Sequence, residues 1–198
     1  IDIHDNLMFT ADGKQFLWTS EKSGYNHMYL YDISGKEIRQ VTRGDWEVSK
    51  IYGIDEKKQI IYYQSTEESP LERHVYCIGT DGNGKKKLSL IKGMNDGEFS
   101  HDFRFFFATH SDAEAPLAMT LMKTGGAGIS VIEDNRAYLE KREEFIHVPK
   151  EFFRFVTMDG TELNGWMMKP PAFDRNRKYP VLMYAYGGPG AQTVMNEW

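Results

Sequence analysis

Apolar and aromatic residues come in short bursts along the first two thirds of the chain, and the bursts recur. Phe16-Leu17-Trp18, Ile60-Ile61-Tyr62 and Phe105-Phe106-Phe107 start 44 and 45 residues apart. A turn-forming or charged triplet precedes each: Asp12-Gly13-Lys14, Glu56-Lys57-Lys58 and, more weakly, His101-Asp102-Phe103. A second run follows each burst, at His27–Asp32, His74–Gly79 and Leu117–Lys123, and a third at Glu37–Thr42, Lys86–Leu90 and Ile129–Glu133. Leu7–Thr10, Val48–Ile54 and Phe99–Asp102 supply a fourth strand per unit. Ser34-Gly35 and Asp81-Gly82-Asn83-Gly84 are turn chemistry between runs. A period of about 45 residues holding several short strands is the pattern of β-propeller blades. We expect a mostly β chain with about three four-stranded antiparallel blades. The competing arrangement is a β-sandwich whose spacing is coincidental. Three blades make an arc and not a ring, so two sheet faces and several edges await cover from further blades or from a second copy.

The pattern changes after Glu133. Asp134-Asn135 can cap a helix over Ala137–Phe145, with Tyr138 and Phe145 on one face, Leu139 and Ile146 beside them, and Glu140-Lys141-Arg142-Glu143-Glu144 as a solvated face. Phe152–Met158, the turn Asp159-Gly160 and Glu162–Lys169 then read as a hairpin, bracketed by Val148-Pro149 and Pro170-Pro171. Phe173–Lys178 is a polar crossing to Val181-Leu182-Met183-Tyr184-Ala185-Tyr186. Six apolar or aromatic residues in a row, between Pro180 and Gly187-Gly188-Pro189-Gly190, read as a strand buried on both faces. Such strands lie inside parallel sheets, and the loop at their carboxyl end is where ligands bind in open α/β sheets. Three regions follow: blades over residues 1–134, a helical linker over 135–150, and the leading strands of a second domain over 151–198.

The totals narrow the chemistry. A net charge of −5 with no basic stripe argues against a nucleic-acid partner; Lys85-Lys86-Lys87 reads as an isolated turn cluster on a solvated face. Cys77 is the one cysteine, so it cannot form an intrachain disulfide and reads as a small packed hydrophobe. Either a reducing compartment or a bacterial periplasm or cell envelope fits, the latter being the preferred expectation. No apolar run approaches the roughly 18 residues of a membrane span, and no signal pattern opens the chain. The chain begins at Ile1 in what reads as mid-protein sequence and stops at Trp198 just past a domain-leading strand, so we expect it to be a fragment of a longer protein.

Candidate chemistry is sparse. The six histidines (4, 27, 74, 101, 110, 147) form no H-E-x-x-H and no His/Cys pairing, so no metal is expected. Gly125-Gly126-Ala127-Gly128 fails the dinucleotide fingerprint, and no cofactor is expected. The nearest approach to a G-x-S-x-G nucleophile elbow, Gly128-Ile129-Ser130-Val131-Ile132, lacks the second glycine and falls in a blade strand. Trp46 reads as inter-blade packing, with a place on the propeller's central tunnel as the alternative.

Two stretches resemble a known family. Tyr179-Pro180-Val181-Leu182-Met183-Tyr184-Ala185-Tyr186-Gly187-Gly188-Pro189-Gly190-Ala191-Gln192 is similar to the third strand and following loop of the α/β-hydrolase domain in prolyl-oligopeptidase-type serine peptidases, most of all the dipeptidyl peptidase IV branch. Phe9–Phe16, Ser23-Gly24-Tyr25-Asn26-His27 and Val41–Val48, with Gly44-Asp45-Trp46-Glu47-Val48 the most specific part, resemble that branch's later blades, and Val131–Asn135 its propeller exit. The likeness is colinear over nearly the whole chain. It implies a partial β-propeller followed by the leading strands of an α/β-hydrolase domain, in a parent serine exopeptidase that removes N-terminal dipeptides after a penultimate Pro or Ala. It implies that Tyr186 lends its hydroxyl to the oxyanion hole. The triad Ser, Asp and His, and the acidic residues that hold the substrate amine, would lie outside this chain, which should be inactive alone. Expected partners are the peptide substrate and the rest of the propeller and hydrolase domain, with a homodimer allowed. The alternatives are a prolyl oligopeptidase or acylaminoacyl peptidase, or a non-catalytic propeller that binds peptide or glycan.

Overall fold

A computed structural model describes residues 6–188 and 190–198; His4 and Pro189 lie outside them. Three four-stranded meanders come first. The first blade is β1 (Met8–Phe9), β2 (Gln15–Ser20), β3 (His27–Asp32) and β4 (Glu37–Gln40). The second is β5 (Val48–Asp55), β6 (Ile60–Ser65), β7 (His74–Gly79) and β8 (Lys86–Lys87). The third is β9 (Met94–Phe99), β10 (Phe105–Ser111), β11 (Ala118–Lys123) and β12 (Gly128–Glu133). Neighbours in sequence are neighbours in each sheet, and all the ladders are antiparallel. β2, β6 and β10 start at Gln15, Ile60 and Phe105, 45 residues apart each time. Strands of different units do not share a ladder among the described residues, which rules out the sandwich; an isolated parallel bridge, Arg73 to Met94, is the backbone pairing that links the second blade to the third.

The second blade is buried on both faces, and strand alternation deals its residues to two cores. Ile61, Tyr63, Tyr76 and Ile78 point toward the first blade and pack with Leu17, Met28, Leu30 and Val41. Tyr62, Val75 and Cys77 point the other way, against Leu88, Phe99 and Phe106. Cys77 is thus a packed hydrophobe, and burial pushes its thiol pKa up. Trp46 packs on the first of these cores, edge-on to the His27 ring at 4.8 Å, in agreement with the inter-blade reading. Asp96 of β9 fastens the first strands of blades two and three together: it accepts from the Tyr52 hydroxyl at 2.6 Å and from Lys50 Nζ at 2.9 Å.

Several expectations are corrected. The strand placed at Phe99–Asp102 lies at Met94–Phe99 instead. Ser100–Arg104 is a tight turn: Phe103 N–H donates to the Ser100 carbonyl at 2.8 Å, and Asp102 Oδ1 accepts from Ser100 Oγ and the Arg104 N–H. Thr10 and Asp12 build the same turn in the first blade. A short hydroxyl two residues before a carboxylate therefore outweighs the apolar character of Phe103. β4 and β8 are shorter than Glu37–Thr42 and Lys86–Leu90, because Thr42 and Ser89 leave the ladder to bond histidine rings. The lysine cluster is not an isolated solvated face: Lys85 pairs with Glu67, Lys87 with Glu68 at 3.4 Å, and Lys86 Nζ donates to the Gly125 carbonyl of the third blade at 3.1 Å.

After β12 comes α1 (Arg136–Arg142), shorter than the Ala137–Phe145 expected. Asn135 does not cap it with its side chain, which donates to the Leu117 carbonyl at 2.7 Å; Asp134 Oδ1 accepts from the Arg136 N–H instead. Arg142 leaves the solvated face as well, donating to the Glu114 carbonyl at 2.6 Å and lying against Trp198. The hairpin follows as β13 (Glu151–Val156) and β14 (Glu162–Met167). Val181–Tyr186 is not a strand here. It is extended chain without a ladder, and Val181, Leu182, Met183 and Tyr184 are 80–98% exposed. The physical reason is that a strand is a property of a pair, and no described segment lies beside this one.

Candidate active-site loop and its anchors

Tyr186 closes the apolar stretch, with its side chain turned over the loop that follows. A Cβ built on Gly188 would stand 2.5 Å from the Tyr186 hydroxyl oxygen. The missing side chain of Gly188 therefore leaves the phenol room to lie where it does. Gly190 has φ 70°, and Ala191 N–H donates to the Gly188 carbonyl at 3.2 Å, so the backbone doubles back directly after Tyr186. Among the described residues the Tyr186 hydroxyl has no hydrogen-bond partner. A phenol so placed is a donor with its proton uncommitted.

The turn hands the chain to a set of anchors on the blades. Gln192 Nε2 donates to the Pro70 carbonyl at 2.7 Å and to the Val194 carbonyl at 3.0 Å, while Gln192 Oε1 accepts from Arg73 Nη2 at 2.8 Å. Asn196 N–H donates to the Leu71 carbonyl at 2.8 Å, and Asn196 Nδ2 to Glu72 Oε1 at 3.2 Å. Asn196 Oδ1 accepts the Ala113 N–H of the third blade at 3.1 Å. Trp198 meets Tyr138 of α1 edge-on at 5.8 Å, and Lys150 Nζ donates to the Glu197 carbonyl at 2.8 Å. All of these partners come from the β6–β7 loop, the β10–β11 loop and the linker, at one end of the blades. Apart from Tyr138, placed on the apolar face of the helix, none was singled out from the sequence. Glu72-Arg73 directly before β7 was the available signal, and a charged pair at a strand start is too common to point to a residue 119 positions away.

The other candidates lie elsewhere. Ser130 sits exposed on β12, paired with Leu121 of β11, and its hydroxyl donates to the Val131 carbonyl at 3.4 Å. His27 and His74 are buried and structural. His27 Nε2 faces the Gly44 carbonyl at 2.9 Å, and its Nδ1 faces Thr42 Oγ1 at 3.1 Å. His74 Nε2 faces Glu72 Oε2 at 2.9 Å, and its Nδ1 faces Ser89 Oγ at 3.1 Å. The hydroxyls of Thr42 and Ser89 in turn accept the N–H of Met28 and of Val75. Each histidine thus clamps its blade's third strand to the segment that leads out of the blade, and burial lowers the pKa of both rings. His110 faces Asp112 at 3.6 Å, and His147 faces Glu114 at 2.6 Å. Among the described residues no three His, Cys, Asp or Glu side chains gather as a metal site.

Comparison with known proteins now bears on this arrangement. A family model described as "Dipeptidyl peptidase IV (DPP IV) N-terminal region" matches residues 1–117. A probable dipeptidyl peptidase 4 of Aspergillus flavus is 32% identical over 181 residues, covering 90% of this chain and 24% of the relative. Dipeptidyl peptidase 4 of Trichophyton equinum is 34% identical over 208 residues, covering 98% and 26%. The crystal structure of Porphyromonas gingivalis dipeptidyl peptidase 4 superposes with a TM-score of 0.91 at 42% identity, over 97% of this chain and 27% of that one. The chain spans about a quarter of the length of these curated relatives. The fold is similar to that of the Porphyromonas structure over nearly the whole chain, and the family model covers more than half of the sequence; the chain belongs to the dipeptidyl peptidase IV family.

Proposed function

We propose that this chain is the junction between propeller and catalytic domain in a serine-type dipeptidyl peptidase that removes N-terminal dipeptides with a penultimate Pro or Ala. In this reading residues 1–134 are the last blades of the propeller, 135–150 the linker and 151–198 the leading part of an α/β-hydrolase domain. Tyr186 is its contribution to the chemistry; the nucleophile, acid and base stand outside these 198 residues. The remaining blades and the rest of the hydrolase domain are its structural partners, and a peptide is its substrate.

The observation that carries the reading is the uncommitted Tyr186 hydroxyl above a side-chain-free Gly188. Attack on a peptide carbonyl moves negative charge onto its oxygen. A fixed donor aimed at that oxygen stabilises the tetrahedral intermediate more than the neutral substrate, which is what accelerates the reaction. Hydrolases of this fold commonly take one such donor from a backbone N–H of the loop after the third strand. Pro189 has no N–H to give, and a phenol at the start of that loop can supply the donor. The test is Tyr186→Phe in the full-length protein, assayed on an Ala-Pro or Gly-Pro chromogenic substrate. Losing one oxyanion donor costs about 3 kcal/mol, so kcat is expected to fall roughly a hundredfold with KM changed far less. An undiminished kcat would overturn the role of Tyr186.

A further inference from the structure

We propose that the second propeller blade positions Tyr186, with Arg73 and Glu72 as positioning residues that act through Gln192 and Asn196. The inference rests on the reading of Tyr186 as the oxyanion donor. An oxyanion donor works only if it is held still at the right place before the charge develops, because reorganising during the reaction would consume the stabilisation. The Tyr186 hydroxyl has no hydrogen-bond partner among the described residues, so its placement comes from the backbone that carries it. The first side-chain attachment to the blades after it is Gln192, six residues on.

That attachment is built to be stiff. Arg73 is a fork whose Nη2 holds Gln192 Oε1 at 2.8 Å while Nη1 is fixed to the carbonyls of Pro70 at 3.2 Å and Glu72 at 3.0 Å. Its backbone is bonded on both sides to the third blade: Arg73 N–H donates to the Gly93 carbonyl, and the Arg73 carbonyl accepts from the N–H and the side-chain amide of Asn95. Glu72 is fixed in the same manner, with Oε2 on the buried His74 ring at 2.9 Å and Oε1 on Asn196 at 3.2 Å. A guanidinium and a carboxylate thus grip the two amides of Gln192-x-x-x-Asn196, and charge-assisted bonds of this kind are the stronger and more directional sort. The geometry links the propeller to the donor through one short, turned segment. It makes the blade a part of the catalytic domain's alignment and not only a screen around it.

The experiment is a double-mutant cycle in the full-length protein, with Arg73→Ala, Gln192→Ala, Tyr186→Phe and the two combinations carrying Tyr186→Phe, on the same dipeptidyl chromogenic substrate. Arg73→Ala and Gln192→Ala are each expected to lower kcat about tenfold with KM moved less than about twofold. In the Tyr186→Phe background they are expected to cost almost nothing further, because a residue acting through the phenol has nothing left to align. Gln192 is exposed and outside the blades, so its variant reports even if Arg73→Ala lowers the yield of folded protein. Two results overturn the proposal while leaving the role of Tyr186 intact: Tyr186→Phe slow but Gln192→Ala at wild-type kcat, or the same fold loss from Gln192→Ala in both backgrounds. If Tyr186→Phe keeps full kcat, the reading beneath the proposal fails first, and the cycle shows which of the two has gone.

Discussion

Burial lowers the pKa of His27 and of His74, in the second case against the pull of Glu72 toward the charged form. The unfolded chain therefore takes up protons on these rings at a pH where the folded chain does not. The stability they contribute is complete above the unfolded value of about 6.5 and is lost as pH falls from there through the lowered folded values. The exposed carboxylates of Asp12, Asp32 and Asp102 are also lowered, by hydrogen bonds from nearby backbone and hydroxyl groups. Their window opens only below about pH 4, so the two effects separate. We expect the Tm of the full-length protein to fall between pH 7.5 and 5.5. The variant His27→Gln/His74→Gln should start from a lower Tm and lose less of it over that range. Calorimetric scans showing the same slope for both proteins would assign the pH dependence to other groups.

At the scale of the element, the contact between blades two and three depends on one missing side chain. β5 shifts register against β6 between Ile51 and Gly53, and Gly53 has φ 151°. The ring of Phe103, from the β9–β10 turn, fills the space: a Cβ on Gly53 would stand 2.5 Å from its Cζ. Phe103 itself takes φ 51°, a conformation bulky residues avoid, and its ring stacks on Tyr62 at 5.1 Å and 4°. The packing holds the turn in a strained form, and the bulge gives the ring its seat. Gly53→Ala is expected to destabilise by about 1–3 kcal/mol through overpacking and backbone strain. Gly125→Ala, with nothing within 4 Å and no positive φ, should stay within about 0.5 kcal/mol. Urea unfolding of the two variants side by side checks the pair, and equal losses would mean that the seat is not tight.

At the scale of the whole molecule, Val181–Tyr184 is a contiguous apolar run without a ladder partner among the described residues, its four side chains 80–98% exposed. Contiguous apolar chain of high β-propensity with unpaired backbone seeks a strand partner. The 198-residue chain purified alone should therefore elute from size exclusion as concentration-dependent oligomers. Val181→Asp/Met183→Asp should shift it toward the monomer. A single monomeric peak for the unsubstituted chain at high concentration would show that the segment finds cover within the chain.

By itself the sequence determined the count and spacing of the blade strands and most of their turns, the Ser100–Arg104 turn excepted. Those rest on local chemistry: an Asp or Gly turn, then an apolar burst, repeated every 45 residues. It also singled out Tyr186, through the resemblance of Tyr179–Gln192 to a known family's strand and loop, as an expectation about chemistry and not about contacts. Tertiary structure decided the rest. Ile60–Tyr63 reads as continuously apolar, and only the blades on either side show that Ile61 and Tyr63 serve one core and Tyr62 the other. Alternation is visible in a sequence only where one face stays wet. His27 and His74 looked like unattached histidines until the fold brought Thr42 and Ser89 against their rings. Val181–Tyr186 has the composition of a buried strand but lacks the neighbour that would make it one. The grip of Arg73 on Gln192 spans 119 residues, and its bonds are between side chains common on any surface. Local propensity leaves its mark residue by residue, whereas pairing across the chain depends on geometry that exists only once the blades have packed.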